Sequence, residues 1–222
     1  MNDAAMNLSV NKNDQITKGP HIILESPLFY SFFQWMMGSH NKYRMYVTEY
    51  LKPFPNCRIL DIGCGFAGIL EHLPQNVEYV GYDISPAYIS YAQKKYGNRA
   101  TFYNQRVDEM QVQNNNSFDI VLADGLLHHL NDQEAQNLFR IAFRALRDNG
   151  FMFTSDPTFI ENQGIIPRFI SSMDRGKHVR SPDEYKKIAQ PSFPHTESYI
   201  IHNISNRPQT GCFLKCYKTP IK

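Results

Sequence analysis

Four short apolar runs punctuate the middle of the chain: CRILDI (57–62), VEYVGYD (77–83), FDIVLAD (118–124) and GFMFTSD (150–156), each running into a turn or a polar residue. Runs of this length predict buried strands, with ATFYN (100–104) a weaker fifth. Between them the apolar spacing changes to a helical period. Ser85 is placed to cap a helix that starts at Pro86, with Tyr88, Tyr91 and Ala92 on its apolar face and Gly97 as a left-handed closing residue. Asn131 and Glu134 have capping-box spacing, and Ala135, Leu138, Phe139, Ala142 and Leu146 then repeat at helical period until Asn149-Gly150. Alternating strands and helices predict right-handed crossovers and an α/β, Rossmann-like doubly wound sheet that is mainly parallel.

Both ends of the chain change style. HTESYIIHNI (195–204) and GCFLKCYK (211–218) follow each other without a helix between them, which predicts an antiparallel pair added to the sheet edge, for seven strands in all. Residues 25–37 and 39–52 predict two helices ahead of the first strand, placed to lie across the mouth of a site. Residues 1–20 are polar and rich in Asn, with no apolar stretch of signal-peptide type, and read as a flexible leader. The apolar run at 27–38 contains Ser and Gln and is shorter than the roughly 20 residues of a membrane span.

Composition narrows the classes. With 42% hydrophobic and 20% charged residues, the 222-residue chain can bury one substantial core. A net charge of +2 lacks the concentrated basic charge of a phosphate-neutralising protein, which disfavours nucleic acid as a partner. The charge is uneven, however: residues 165–222 carry +6 and the remainder −4. That cluster is either a solvated face or an anion-binding one. The cysteines, Cys57, Cys64, Cys212 and Cys216, form no CxxC pair and read as free thiols of a cytoplasmic protein.

The sharpest local signal is RILDIGCGFAG (58–68), a strand entering Gly63, Gly65 and Gly68 ahead of the helix-like AGILEHL. Glycine lets the backbone approach a ligand where a side chain would keep it away. Asp83 ends the next strand, where an acid can accept from ribose hydroxyls. Asp61 decides between ligands. Two like charges about 4 Å apart at an effective dielectric near 20 repel by roughly 4 kcal/mol, so its carboxylate disfavours the pyrophosphate of NAD. S-adenosylmethionine has no phosphate, and its ammonium and sulfonium are compatible with the acid. An Asp61 that only ties down the glycine turn would leave the same ligand open.

LDIGCG, YVGYDIS and FDIVLADGLLHHL together resemble the class I S-adenosylmethionine-dependent methyltransferases, particularly small bacterial enzymes of small-molecule type, over about residues 57–156. The resemblance implies that Asp61, Gly63 and Gly65 line the methionine end of S-adenosyl-L-methionine, Asp83 holds the ribose diol, Ile84 packs on adenine, and Asp124 lies beneath the transferring methyl group. One position departs from the family. Arg106 stands where relatives often carry an acid, and an arginine cannot accept from the adenine amino group. That task falls to the Val107 backbone or to an inward-turned Asp108.

Methyl transfer needs an aligned acceptor and, for a hydroxyl, removal of its proton. His128 and His129, just past the fourth strand, are the candidates for acceptor binding or proton removal, or for a hydrogen bond that fixes the loop. The Glu-x-x-Glu-His arrangement by which some relatives hold a divalent metal is absent from Gly125–His129, so no metal is expected there. Tyr30 lies in an aromatic, Met-rich segment (29–37) that is either a lid over the acceptor or core packing. Arg168, Arg175, His178 and Arg180 supply the basic segment after the fifth strand and would suit an acceptor carboxylate or phosphate.

The expected organisation is a single domain over 21–222: a helical lid (21–54), a cofactor-binding core (55–156), and an acceptor-side segment with the strand pair (157–222). The expected activity is methyl transfer to a hydroxyl or amine of a small metabolite, anionic or sugar-containing if the basic and aromatic segments bind it. A non-catalytic cofactor-binding or partner-binding protein of the same fold is the rival.

Overall fold

Side chains alternate across each strand, and here the alternation sorts them into two cores. In β1 (Arg58–Ile62), Leu60 and Ile62 join one core while Ile59 joins the other. In β4 (Phe118–Asp124), Val121 and Ala123 take the first face, and Ile120 and Leu122 the second. A strand that is apolar on both faces lies inside a sheet covered on both sides. The computed structural model, which describes residues 39–107, 117–161, 163–165, 168, 177–204 and 209–220, has this architecture.

The remaining strands are β2 (Glu78–Tyr82), β3 (Ala100–Tyr103), β5 (Leu146–Pro157), β6 (His195–His202) and β7 (Thr210–Tyr217). They form one sheet in the order β3-β2-β1-β4-β5-β7-β6. The first five are parallel, and β7 runs antiparallel to both β5 and β6. The expected Rossmann-like sheet and the antiparallel pair are therefore both present, with β7 inserted between β5 and β6.

Four α-helices are described: α1 (Ser39–Met45), α2 (Pro86–Tyr96), α3 (Asp132–Ala145) and α4 (Pro182–Ala189). α3 and α4 cover one face, burying Leu138, Phe139, Ala142, Tyr185 and Ile188. α2 covers the other with a π-helical turn, Tyr46–Leu51, that continues α1. Each fully buried Phe or Leu side chain contributes about 1.5–3 kcal/mol, which is why the helix faces follow the apolar period. Ser85 Oγ accepts from Tyr88 N as expected, and Asn131 and Glu134 form a complete capping box.

Several local expectations are corrected. Gly97 ends α2 with φ −64°, in the right-handed region, and glycine is used because a Cβ there would run into the Gln93 carbonyl. α3 ends at Ala145, and Leu146 is the extended first residue of β5, paired with Phe118. Gly150 lies inside β5, where a Cβ would meet the Asp119 carbonyl at 2.9 Å. The helix expected after the glycine loop is one 3-10 turn, Gly68–Glu71, whose entry at Ala67 is left-handed (φ +53°). The helix expected over 39–52 divides into α1 and the π turn, while residues 25–37 and the leader at 1–20 lie outside the described residues. Among the described residues, no helix is long and apolar enough to cross a membrane.

Candidate functional site

The loop leaving β1 is built from backbone. Gly63 (φ +78°) and Gly65 (φ +53°) occupy the left-handed region that side chains rarely adopt. The N–H groups of Gly63 and Cys64 both donate to the Tyr82 carbonyl, at 2.8 and 3.0 Å, and moor the turn to the end of β2. A Cβ on Gly65 would find no heavy atom within 4 Å, so the space beside the turn is open. Beneath it, Gly81 of β2 makes room for Cys64, whose Sγ would be 2.8 Å from an added Cβ.

Three carboxylates end the neighbouring strands β1, β2 and β4. Asp61 is 5% exposed; its Oδ2 accepts from the Tyr79 hydroxyl at 2.5 Å, while Oδ1 is buried without a hydrogen-bond partner. Burial pushes this carboxyl up to about 7, Asp124 and Asp83 add to the rise, and Tyr79 and Lys42 oppose it. Asp83 Oδ2 accepts from Gly65 N at 2.9 Å and Oδ1 from Ser85 N at 2.8 Å. Burial raises its pKa, and those backbone bonds hold it back. Each oxygen keeps a second lone pair for a ligand hydroxyl. Next to it the Ile84 side chain is 61% exposed.

Asp124 is held from the opposite side. Lys42 Nζ lies 2.7 Å from its Oδ2, and Tyr46 OH 3.0 Å from Oδ1 and 2.5 Å from Ser155 Oγ. Burial alone would lower the Lys42 pKa, but Asp124 together with Tyr46 and Tyr43 outweighs it and holds the ammonium well above the usual lysine range. Strand parity explains the arrangement: Asp124 shares a face with Ile120 and Leu122, the face on which Tyr46 packs, and Ser155 is its register partner in β5.

Asp156, one residue further along β5, faces the other way. Its Oδ1 lies 2.7 Å from Nδ1 of His128 and also accepts the His128 backbone N–H at 3.1 Å. Asp156 Oδ2 is buried without a hydrogen-bond partner. Burial raises the Asp156 pKa, and the bonds from His128 oppose the rise. His128 is 4% exposed on a 3-10 turn, Leu127–His129, and its ring centroid lies 4.1 Å from that of His129. Asp156 thus fixes the orientation of the ring at the end of the sheet.

The structure thus brings Asp61, Gly63, Gly65, Asp83, Ile84, Asp124, His128 and His129 to one end of the sheet. Val107 is buried after β3, whereas Arg106 turns its half-exposed side chain toward Glu134, at 3.9 Å. His178 is half-buried, and its backbone N–H donates to the His128 carbonyl at 3.0 Å. Arg168 is exposed, with its guanidinium 5.6 Å from the centre of the Phe159 ring. Tyr30 and Arg175 lie outside the described residues.

Arg180 is a correction. All five of its N–H donors are used within the protein: Nε and Nη2 on Asp132 Oδ1, Nη1 on the carbonyls of Leu127 and His178, and Nη2 on the Leu130 carbonyl. It is 7% exposed and has no donor left for an acceptor anion. It ties the His128 turn to the segment before α4.

Sequence reasoning did not find Lys42, Tyr46, Tyr79, Ser155 or Asp156. Asp156 carried a usable signal: it ends a strand predicted to lie beside the one that ends at Asp124. Lys42 carried none, since it meets Asp124 across 82 residues.

Residues 59–150 match a family described as a methyltransferase domain. A curated relative, the cyclopropane-fatty-acyl-phospholipid synthase of Escherichia coli, is 29% identical over 164 residues, 71% of this chain and 40% of the relative. The chain spans less than half the length of such relatives. Among solved structures, an S-adenosylmethionine-dependent methyltransferase from Archaeoglobus fulgidus superposes with a TM-score of 0.64 at 17% identity, over 84% of this chain and 99% of that one. A phosphoethanolamine N-methyltransferase of Haemonchus contortus, with phosphomonomethylethanolamine and S-adenosylhomocysteine bound, gives 0.65 at 15% identity over 90% of this chain and 60% of that one. At these identities the solved structures show the fold.

Proposed function

We propose that this protein, whose residues 59–150 match a methyltransferase domain, is a class I S-adenosylmethionine-dependent methyltransferase that methylates a hydroxyl or amine of a small metabolite, one that is anionic or sugar-containing. The observation that carries the reading is the convergence of Asp61, Asp83 and Asp124 on a bare glycine turn. Such a berth attracts a cation and repels a pyrophosphate. The residues fit the cofactor: the unpartnered Asp61 Oδ1 suits its ammonium, the open space at Gly65 its methionine end, Asp83 its ribose diol, and exposed Ile84 with the Val107 backbone its adenine.

When bound, S-adenosylmethionine supplies a methyl carbon made electrophilic by the sulfonium. The chain's own groups align the acceptor and manage its proton. His128, whose Nδ1 lies 2.7 Å from Asp156 Oδ1, is assigned as the base for a hydroxyl or amine acceptor. His129 and His178 flank it on the acceptor side, and Lys42 and Tyr46 set the position of Asp124. Tyr30, Arg168 and Arg175 are assigned to the outer acceptor site, and Arg180 is not. The four unpaired, buried cysteines support a cytoplasmic location.

Calorimetric titration with S-adenosylmethionine and S-adenosylhomocysteine, on wild type and Asp83→Ala, tests the berth. Binding to wild type that the variant weakens at least tenfold is expected; no binding to a folded protein overturns the reading. A screen for labelled methyl transfer into metabolite pools then separates the enzyme from the rival, a cofactor-binding protein without chemistry.

A further inference from the structure

We propose that His40, Glu71 and His72 form a site for a divalent transition metal of the Zn²⁺ type, which fastens α1 to the turn that follows the glycine loop. The three side chains each offer one ligand atom, and these atoms lie within 4.8 Å of one another. His40 comes from α1, Glu71 ends the 3-10 turn and His72 follows it, so the ligands come from two segments distant in sequence. The site is separate from the His128–His129 loop and does not depend on the proposed methyl transfer.

The donor set selects the metal. Two imidazoles with one carboxylate suit Zn²⁺ and its neighbours and are poor for Mg²⁺ or Ca²⁺, which prefer all-oxygen shells. Ligands held about 2.0–2.1 Å from a tetrahedral Zn²⁺ stand about 3.4 Å apart, so a closure of up to about 1.4 Å is required. His40 and Glu71 are exposed and His72 half-buried, which leaves side chains able to make that movement and an entry path from solvent. The fourth position is left for water.

The surroundings prepare the ligands. Lys95 Nζ and Tyr96 OH both donate to Glu71 Oε1, at 2.5 and 3.0 Å, which orients the carboxylate and leaves Oε2 for the ion. The two imidazoles already meet edge to face, with centroids 4.4 Å apart. Arg44 and Lys95 stand nearby as cations, and the affinity will accordingly be below that of a site with two carboxylates.

The test is titration of the full, tag-free chain with Zn²⁺ by calorimetry and with Co²⁺ by visible absorption. One ion per chain is expected, with a tetrahedral Co²⁺ spectrum and a raised melting temperature in Zn²⁺. His40→Ala, an exposed change that leaves the fold intact, and Glu71→Gln should each weaken binding at least about tenfold. No binding to wild type up to about 100 µM metal overturns the proposal. So does binding that His40→Ala leaves unchanged, which would locate the ion elsewhere.

Discussion

The Lys42 ammonium lies 2.7 Å from Asp124 Oδ2, joining α1 to the end of β4, and its charge is also felt at Asp61. A fixed cation in an otherwise anionic berth opposes a sulfonium more than a neutral thioether. Lys42→Met should therefore shift preference toward S-adenosylmethionine over S-adenosylhomocysteine by about three- to tenfold, which corresponds to roughly 0.7–1.4 kcal/mol. The ratio of the two dissociation constants, read by calorimetry, checks this, and an unchanged ratio would show that Lys42 does not sense the sulfur.

Asp61 predicts a pH dependence. Its carboxyl is pushed up to about 7 by burial, above the roughly 3.9 of an unfolded aspartate, so the folded state favours the protonated form. The ligand-free protein should then be most stable below about pH 4 as far as this group is concerned, losing up to roughly 4 kcal/mol as pH rises to about 7 and little beyond. Urea unfolding from pH 5 to 8 should show the slope in wild type and a flatter one in Asp61→Asn; the difference isolates Asp61 from Asp83 and Asp156. Because a cationic ligand favours the ionised form, cofactor binding near pH 7 should release protons, measured as a dependence of the binding heat on buffer ionisation.

His128 and Asp156 should act in sequence. His128→Gln removes the base and is expected to lower kcat by about 10²–10⁴ for a hydroxyl acceptor, with the cofactor Kd retained. Asp156→Asn leaves the imidazole in place but no longer fixes its tautomer, so its loss should be smaller and its pH–rate profile displaced. A His128→Gln enzyme with full kcat would assign His128 to holding the loop.

Arg180 should prove structural. Arg180→Ala leaves the Leu130 and His178 carbonyls without the guanidinium donor and the Leu127 carbonyl with the Leu130 N–H alone, and should cost about 3–5 kcal/mol. In a chain of this size that is a fall of roughly 6–20 °C in Tm. Lysine cannot reproduce the five-donor fork, so Arg180→Lys should recover only part of it. A neutral Arg180→Ala by thermal unfolding would return the residue to the acceptor side.

Much of the sheet could be read from the chain because each strand signals locally: short apolar runs end at Ile62, Tyr82 and Asp124, and the helix caps at Ser85 and Asn131 sit where their side chains bond. The acids and glycines that face the ligand are likewise next to strand ends. What escaped depends on contacts between distant segments. Nothing near Lys42 announces Asp124, and nothing near His128 announces Asp156, 28 residues away. Arg180 was misread for the opposite reason. Its neighbours Arg175 and Lys177 suggested a basic patch, but its own donors are used by carbonyls brought close only after folding.

The π turn at Tyr46–Leu51 has one further consequence. Such a turn accommodates a residue more than the α-helix it interrupts. The wider turn absorbs the extra residue, so α1 upstream presents nearly the face it would have on an uninterrupted helix one residue shorter. A length change of one amino acid can therefore be taken up within Tyr46–Leu51 while Lys42 and Tyr46 keep their bonds to Asp124, so the entrance over the strands tolerates it.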